Sequence, residues 1–219
     1  MGSLRVFPQL AKGLLNQLSY SIKGLIMVLT ASTMMTLGTP APDFQLPDVV
    51  SGETISLSTF AGKKALFVMF ICRHCPFVKH VQEELAKIGK DYVPRDVGIV
   101  AISANSVQTH PADAPDKLKE MALELGFNFP YCFDETQEVA KAYTAACTPD
   151  FFLFDGEQKL VYRGQLDDSR PSGDTPVTGK DIRAALDAVL AGNSVSPEQR
   201  PSTGCNIKWT PGNEPSYFG

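Results

Sequence analysis

Apolar runs alternate with amphipathic stretches through the middle of the chain. The run at 65–71 is continuously apolar, rich in aromatic and β-branched residues and bounded by Gly62, which predicts a buried strand. Residues 77–88 carry apolar side chains at helical spacing, which predicts a helix directly after that strand. Further apolar runs predict strands at 97–102, 129–133, 151–154 and 159–163, and amphipathic stretches predict helices at 116–125, 136–145 and 180–191.

The order of these elements indicates an α/β fold. Strands that alternate with helices favour a parallel arrangement, and the Asp155-Gly156 turn between two apolar runs predicts an antiparallel hairpin. We therefore expect a three-layer α/β sandwich around a mixed β-sheet. This domain spans 36–192.

Two end segments lie outside this pattern. Residues 1–35 contain no Asp or Glu and include an apolar run, 24–29, that is too short to span a bilayer. They are interpreted as an extension, with an over-long start, a signal peptide and an organelle transit peptide left as alternatives. Residues 193–219 form a Pro-rich tail without helical or strand period, so we expect no regular structure there.

Composition and cysteine usage narrow the class of protein. A formal net charge of −4 over 219 residues gives no basic surplus, so nucleic acid is not an expected partner. Five dispersed cysteines cannot all pair with one another and do not resemble a secreted disulfide scaffold. We expect a cytoplasmic protein with no stable membrane span, or a stromal or exported one if 1–35 is a targeting segment.

The candidate chemistry is a Cys-x-x-Cys motif, Cys72 and Cys75, at the junction between the first buried strand and its helix. A helix N-terminus has unpaired N–H donors and a partial positive charge, which favour the reactive thiolate. Cys72 is predicted to be the nucleophile and Cys75, one turn further in, the resolving thiol. The redox-active group is expected to be the Cys72–Cys75 disulfide, and no cofactor is expected.

The two residues between these cysteines are Arg73 and His74. Their positive charge would favour the Cys72 thiolate, so we expect a relatively oxidising dithiol couple. Half of a zinc site is the competing interpretation of the motif. Because no second Cys-x-x-Cys and no His pair at ligand spacing accompanies it, the sequence favours redox chemistry without a metal.

The motif, the element order and a late Thr-Pro resemble the thioredoxin superfamily. Gly-Thr-Pro-Ala-Pro-Asp-Phe at 38–44, Cys-Thr-Pro-Asp-Phe at 147–151 and Tyr-Arg-Gly-Gln-Leu-Asp at 162–167 are similar to its redoxin branch, named for alkyl hydroperoxide reductase and thiol-specific antioxidant. The tail is similar to a peroxiredoxin-like subgroup. The resemblance implies a cis Pro149 facing the dithiol, with Thr148 and Pro149 as a substrate-docking wall, and Arg163 near the active cysteine.

Two further cysteines carry open alternatives. Beside Thr148 and Pro149, Cys147 would be a third redox thiol, a metal or iron–sulfur ligand with Cys72 and Cys75, or a small buried residue. Cys205 would be an extra resolving cysteine if the tail folds over the site, or a structural residue.

The sequence departs from the peroxiredoxin pattern at one informative position. Peroxiredoxins carry a Thr three residues before the reactive cysteine, where this chain has Met69. The expected function is therefore a thiol–disulfide oxidoreductase that reacts with a protein dithiol or disulfide and is served by an external thiol donor. A peroxidase acting on hydroperoxides and a metal or iron–sulfur protein of thioredoxin fold are the alternatives.

Overall fold

A computed structural model describes residues 19–22 and 25–218. The strands in these residues are β1 Ser19–Ile22, β2 Leu25–Ala31, β3 Gln45–Pro47, β4 Thr54–Ser56, β5 Ala65–Phe70, β6 Val97–Ser103, β7 Tyr131–Phe133, β8 Cys147–Thr148, β9 Asp150–Asp155, β10 Leu160–Arg163 and β11 Thr203–Asn206. The helices are α1 Pro76–Tyr92, α2 Pro115–Leu125, α3 Glu138–Ala142 and α4 Lys180–Leu190, with short 3-10 turns at Leu57–Phe60, Val93–Arg95 and Pro111–Asp113.

The central sheet has the strand order β10-β9-β5-β6-β7. Strands β5, β6 and β7 run parallel, whereas β9 and β10 are antiparallel to their neighbours. Every residue of β5 is buried, as expected for a central strand that is covered on both faces. The expected mixed sheet and α/β fold are confirmed.

Alternate side chains of β5 enter two different hydrophobic clusters. Ala65, Phe67 and Met69 pack with apolar side chains from α1, α2 and α4. Leu66, Val68 and Phe70 pack on the opposite side with α3, the turn at Leu57–Phe60 and Trp209 of the tail. This alternation follows from the strand's period of two and builds the three layers.

A second sheet, with the order β1-β2-β11-β8, includes strands from both end segments of the chain. The tail was expected to lack regular structure, yet its segment β11 pairs with β2 on one side and with β8 on the other. Strand β2 also belongs to the segment that was set aside as an extension. The sequence pattern did not reveal β11. A four-residue strand that pairs with a neighbour on each side can form without a clear alternation of apolar and polar residues.

Most of the segment interpreted as an extension, residues 1–18, lies outside the described residues. In the part of the chain that the structure describes, none of the helices has both the length and the apolar character needed to cross a bilayer.

Candidate active site

The Cys-x-x-Cys segment connects the end of β5 to the start of α1. The Ile71 N–H continues the β5–β6 ladder by donating to the Ile102 carbonyl at 3.0 Å, and the Tyr131 hydroxyl donates to the Ile71 carbonyl at 3.3 Å. Cys75 is the N-cap residue of α1 and Pro76 is its first helical residue, a position where proline's missing N–H costs nothing. The dithiol therefore lies at a fixed strand-to-helix junction.

Strand β8 and the residue after it form the opposite wall of the site. The Thr148–Pro149 peptide bond is cis. The Cys72 sulfur lies 3.4 Å from the Thr148 hydroxyl oxygen, and the Cys75 sulfur lies 3.2 Å from the Thr148 carbonyl oxygen. The structure thus brings Thr148 into contact with both sulfurs.

Asp113 anchors the dipeptide between the cysteines. One of its carboxylate oxygens accepts the N–H groups of Arg73 and His74, at 2.9 and 3.0 Å. The other contacts the His74 ring nitrogen Nδ1 at 2.5 Å and accepts the Asn105 side-chain amide at 2.8 Å. Burial raises the pKa of Asp113, but the hydrogen bonds outweigh it and the net shift is downward.

The side chains of the dipeptide have carboxylate neighbours. Arg73 forms an ion pair with Glu120 at 3.4 Å, and His74 pairs with Asp113. The His74 ring also lies against the His110 ring, with centroids 4.8 Å apart. Arg73 therefore has a carboxylate partner, and a nitrogen of the His74 ring lies within 4.8 Å of both the Cys72 sulfur and the Asp113 carboxylate.

The two thiols of the motif hold their protons very differently. Burial, followed by the Cys75 thiol and the Asp113 charge, raises the pKa of Cys72 well above its usual value. Burial also acts to raise the pKa of Cys75, but hydrogen bonds from Cys205, Cys72 and Thr148 lower it overall. The pair therefore loses its first proton readily and retains its second.

Strand β11 covers this arrangement, and both sulfurs are fully buried. Cys205 of β11 is the register partner of Thr148, so β11 occupies the backbone edge that was expected to dock a substrate. A Cβ atom added to Gly204 would lie 2.0 Å from the Thr148 carbonyl oxygen, so the two strands approach more closely than any side chain would allow. The expected docking wall is occupied by the chain itself in this state.

Two other predicted site residues have different surroundings from those expected. Arg163 was expected near the active cysteine, but its guanidinium donates to the Gln199 side chain at 3.0 Å. Cys147 is fully buried, and its sulfur faces the backbone carbonyls of Pro149 at 3.5 Å and Ser202 at 3.9 Å. Burial raises the pKa of the Cys147 thiol well above its usual value, which favours the inert thiol form.

Sequence reasoning did not single out Asp113 and Asn105, which lie between the predicted strand at 97–102 and the predicted helix at 116–125. A signal was available, because β5 and β6 are parallel and the loops that follow them meet at one edge of the sheet. An acid in the loop after β6 is therefore close to the motif after β5. The link from Asn105 to the tail, where its side-chain oxygen accepts the Lys208 N–H at 2.8 Å, has no such signal.

One group of three potential metal ligands occurs in the described residues. Atoms of Cys72, His74 and Asp113 lie within 4.8 Å of one another, and this group does not include Cys147. An ion there would compete with the His74–Asp113 hydrogen bond and with the three N–H donors that Asp113 already satisfies. The arrangement is better suited to holding the dipeptide than to ligating a metal.

Solved structures of other proteins share this fold. A crystal structure of an uncharacterized conserved protein from Geobacillus kaustophilus superposes with a TM-score of 0.84 and 55% identity, covering 85% of this chain and 99% of that one. The thioredoxin domain of a thiol-disulfide oxidoreductase from Bacteroides vulgatus, at 20% identity, has a TM-score of 0.54 and covers 69% of this chain and 99% of its own. The fold is therefore thioredoxin-like, as predicted.

Sequence comparison identifies relatives and a family. The thiol-disulfide oxidoreductase ResA of Geobacillus kaustophilus is 29% identical over 142 residues, which are 63% of this chain and 75% of that protein. Residues 37–163 match the AhpC/TSA family, and this range includes the dithiol, Asp113 and the cis-proline. The chain belongs to the AhpC/TSA family.

Proposed function

We propose that the protein is a thiol–disulfide oxidoreductase whose reacting groups are Cys72 and Cys75. One observation carries the proposal: the two thiols lie at a helix N-terminus, in contact with each other and with Thr148 before the cis-proline. A relative at 29% identity is named a thiol-disulfide oxidoreductase, which supports the same class of reaction.

The reaction begins with one negative charge shared by two hydrogen-bonded sulfurs. The proton of Cys72 passes to Cys75, and the Cys72 thiolate attacks a sulfur of the substrate disulfide. A mixed disulfide forms, and the departing substrate sulfur takes a proton. Cys75 then loses its proton and attacks the Cys72 sulfur, which yields the Cys72–Cys75 disulfide and a fully reduced substrate. An external thiol donor regenerates the dithiol.

Access to the sulfurs is a condition of this reaction. Cys72 and Cys75 are both buried, and β11 lies along Thr148. Exchange with a protein disulfide therefore requires β11 to separate from β8. The reaction needs reduced cysteines, which is consistent with the cytoplasmic location expected from the sequence.

A peroxidase activity is the second candidate, because the Thr148 hydroxyl provides a polar contact 3.4 Å from the Cys72 sulfur. Two features make it the weaker candidate. Met69, at the position of the peroxiredoxin Thr, is buried in the hydrophobic core and offers no hydroxyl. Arg163, which the resemblance implied near the active cysteine, donates to Gln199.

Insulin reduction with dithiothreitol as the donor tests the first candidate. We expect the wild-type protein to accelerate reduction and Cys72→Ser to lose the effect. Cys132→Ser is the matched control, because Cys132 is an equally buried cysteine in the other hydrophobic cluster. Unchanged activity in Cys72→Ser would contradict the proposal, and thiol-dependent consumption of hydrogen peroxide without insulin reduction would favour the peroxidase.

A further inference from the structure

Cys205 is the third sulfur of the buried site. It belongs to the same hydrophobic cluster as Cys72 and Cys75, and its backbone pairs with Thr148, whose carbonyl oxygen contacts the Cys75 sulfur. A hydrogen bond joins the Cys205 and Cys75 side chains. Cys75 therefore has two thiol neighbours, Cys72 from its own motif and Cys205 from the tail.

The placement of Cys205 depends on the residue before it. Since an added Cβ at Gly204 would lie 2.0 Å from the Thr148 carbonyl oxygen, only glycine permits β11 to approach β8 this closely. The bonds from Lys208 to Asn105 and from Ser106 to the Lys208 carbonyl, at 2.8 and 2.7 Å, secure the chain just after Cys205. The tail is held in place on both sides of this thiol.

We propose that Cys205 is a third redox thiol, which exchanges with the Cys72–Cys75 disulfide to form a Cys75–Cys205 disulfide. The inference rests on the proposed function, because reduction of a substrate is what produces the Cys72–Cys75 disulfide. It extends that function by moving the oxidised bond from the motif to the tail and by returning Cys72 to the thiol form.

The exchange balances without an added oxidant. Cys205 loses its proton, and its thiolate attacks the Cys75 sulfur of the Cys72–Cys75 disulfide. The bond between Cys75 and Cys205 forms while the bond between Cys72 and Cys75 breaks, and the Cys72 sulfur leaves as a thiolate that takes up a proton. One disulfide and one thiol are present before and after the step.

The contributions of Cys75 to the pKa of Cys205 favour this exchange after the Cys72–Cys75 disulfide has formed. In the reduced protein the hydrogen bond to Cys75 is the largest cause of the raised pKa of Cys205, followed by burial and by the charge of Cys75. Both contributions of Cys75 depend on its negative charge and vanish when Cys75 enters a disulfide. Cys205 therefore ionises more readily once the Cys72–Cys75 disulfide has formed, which is when its attack is needed.

Disulfide mapping of the full-length chain tests the inference. Wild-type protein and the Cys72→Ser variant are oxidised with diamide, remaining thiols are blocked with iodoacetamide, and tryptic peptides are analysed by mass spectrometry. We expect a peptide linking Cys75 to Cys205 in the wild type beside the Cys72–Cys75 link. In Cys72→Ser we expect Cys75–Cys205 as the main link, and it should persist in Cys72→Ser/Cys147→Ser but disappear in Cys72→Ser/Cys205→Ser.

The outcomes separate this inference from the proposed function. A Cys72–Cys75 link with intact insulin reduction, but no Cys75–Cys205 link in wild type or Cys72→Ser, would overturn the inference alone. Absence of insulin reduction and of the Cys72–Cys75 link would overturn the proposed function. Near-UV circular dichroism checks the fold of the variants, and if Cys72→Ser does not fold, the wild-type map decides.

Discussion

Two buried carboxyl groups near the active site behave in opposite ways. Asp113, in the loop after β6, and Asp150, at the start of β9 next to Pro149, are both fully buried. Hydrogen bonds from His74 and Asn105 overcome burial and lower the pKa of Asp113. Burial dominates at Asp150 and raises its pKa to about 7, although the Ala146 N–H donates to it at 3.2 Å. The balance between burial and hydrogen-bond donors decides whether a buried carboxyl holds its charge.

The same contrast separates the two sides of the dithiol. On the polar side, hydrogen-bond donors surround the Asp113 carboxylate. It holds the Arg73-His74 dipeptide by accepting the two backbone N–H groups. The other side is formed by close strand contact between β8 and β11, and it brings a third thiol to Cys75. One side holds the motif in position, and the other covers it and supplies the thiol that we propose exchanges with the motif.

Removing the Asp113 carboxylate is expected to have the largest effect. Asp113→Ala leaves the N–H groups of Arg73 and His74 and the Asn105 amide without their acceptor. We expect the free energy of unfolding to fall by about 3–5 kcal/mol, as for removal of one partner from a buried charged network. Chemical denaturation measures this change, and a loss below about 1 kcal/mol would show that Asp113 is not the anchor.

Asp150 is expected to have an effect that depends on pH. Its folded-state pKa of about 7 lies above the usual value of 3.8, so the native protein binds the extra proton between these limits. The associated stability is fully present below the lower limit and is lost as the pH rises through about 7. Asp150→Asn removes this titration.

The measurement compares unfolding of wild type and Asp150→Asn at two pH values. Between about pH 5 and pH 8 the stability of the variant relative to wild type should rise by about 3 kcal/mol, because one pKa unit corresponds to about 1.4 kcal/mol. A constant difference across that range would show that Asp150 does not titrate there.

A smaller change is expected from pushing β11 away from β8. In Gly204→Ala the new methyl group clashes with the Thr148 carbonyl oxygen. Because this oxygen belongs to the backbone, a side-chain rotation cannot relieve the clash. We expect a loss of about 2 kcal/mol in stability and faster alkylation of Cys72 and Cys75 by iodoacetamide.

Gly173→Ala is the matched control, because an added Cβ there meets only the Arg170 carbonyl oxygen at an ordinary 3.6 Å. Equal alkylation rates in the two variants would contradict the view that β11 limits access to the dithiol.

Much of this structure follows from local pattern. Continuous apolar runs identified β5, β6 and β9, and the amphipathic period identified α1, α2 and α4. The Cys-x-x-Cys motif indicated one wall of the site, and the family resemblance that Thr148-Pro149 carries implied the other. These features are encoded by neighbours along the chain, so periodicity and motif spacing reveal them.

The rest depends on contacts between residues far apart in sequence. Asp113 lies about 40 positions from the dipeptide that it holds, and its partner depends on how the sheet closes. The pairing of Cys205 with Thr148 needs Gly204 and a strand too short to show a period. The carboxylate partners of Arg73 and His74, on α2 and before it, were not foreseeable from the motif for the same reason.

Trapping of a mixed disulfide tests the central claim most directly. Reduced Cys75→Ser, which cannot resolve the intermediate, is incubated with a disulfide-containing protein such as insulin, and the adduct is mapped by mass spectrometry. The account requires a mixed disulfide on Cys72 that dithiothreitol releases and that Cys72→Ser/Cys75→Ser does not form. An adduct on Cys147 or Cys205 instead, or no adduct in protein that is fully folded, would contradict the assignment of Cys72 as the attacking thiol.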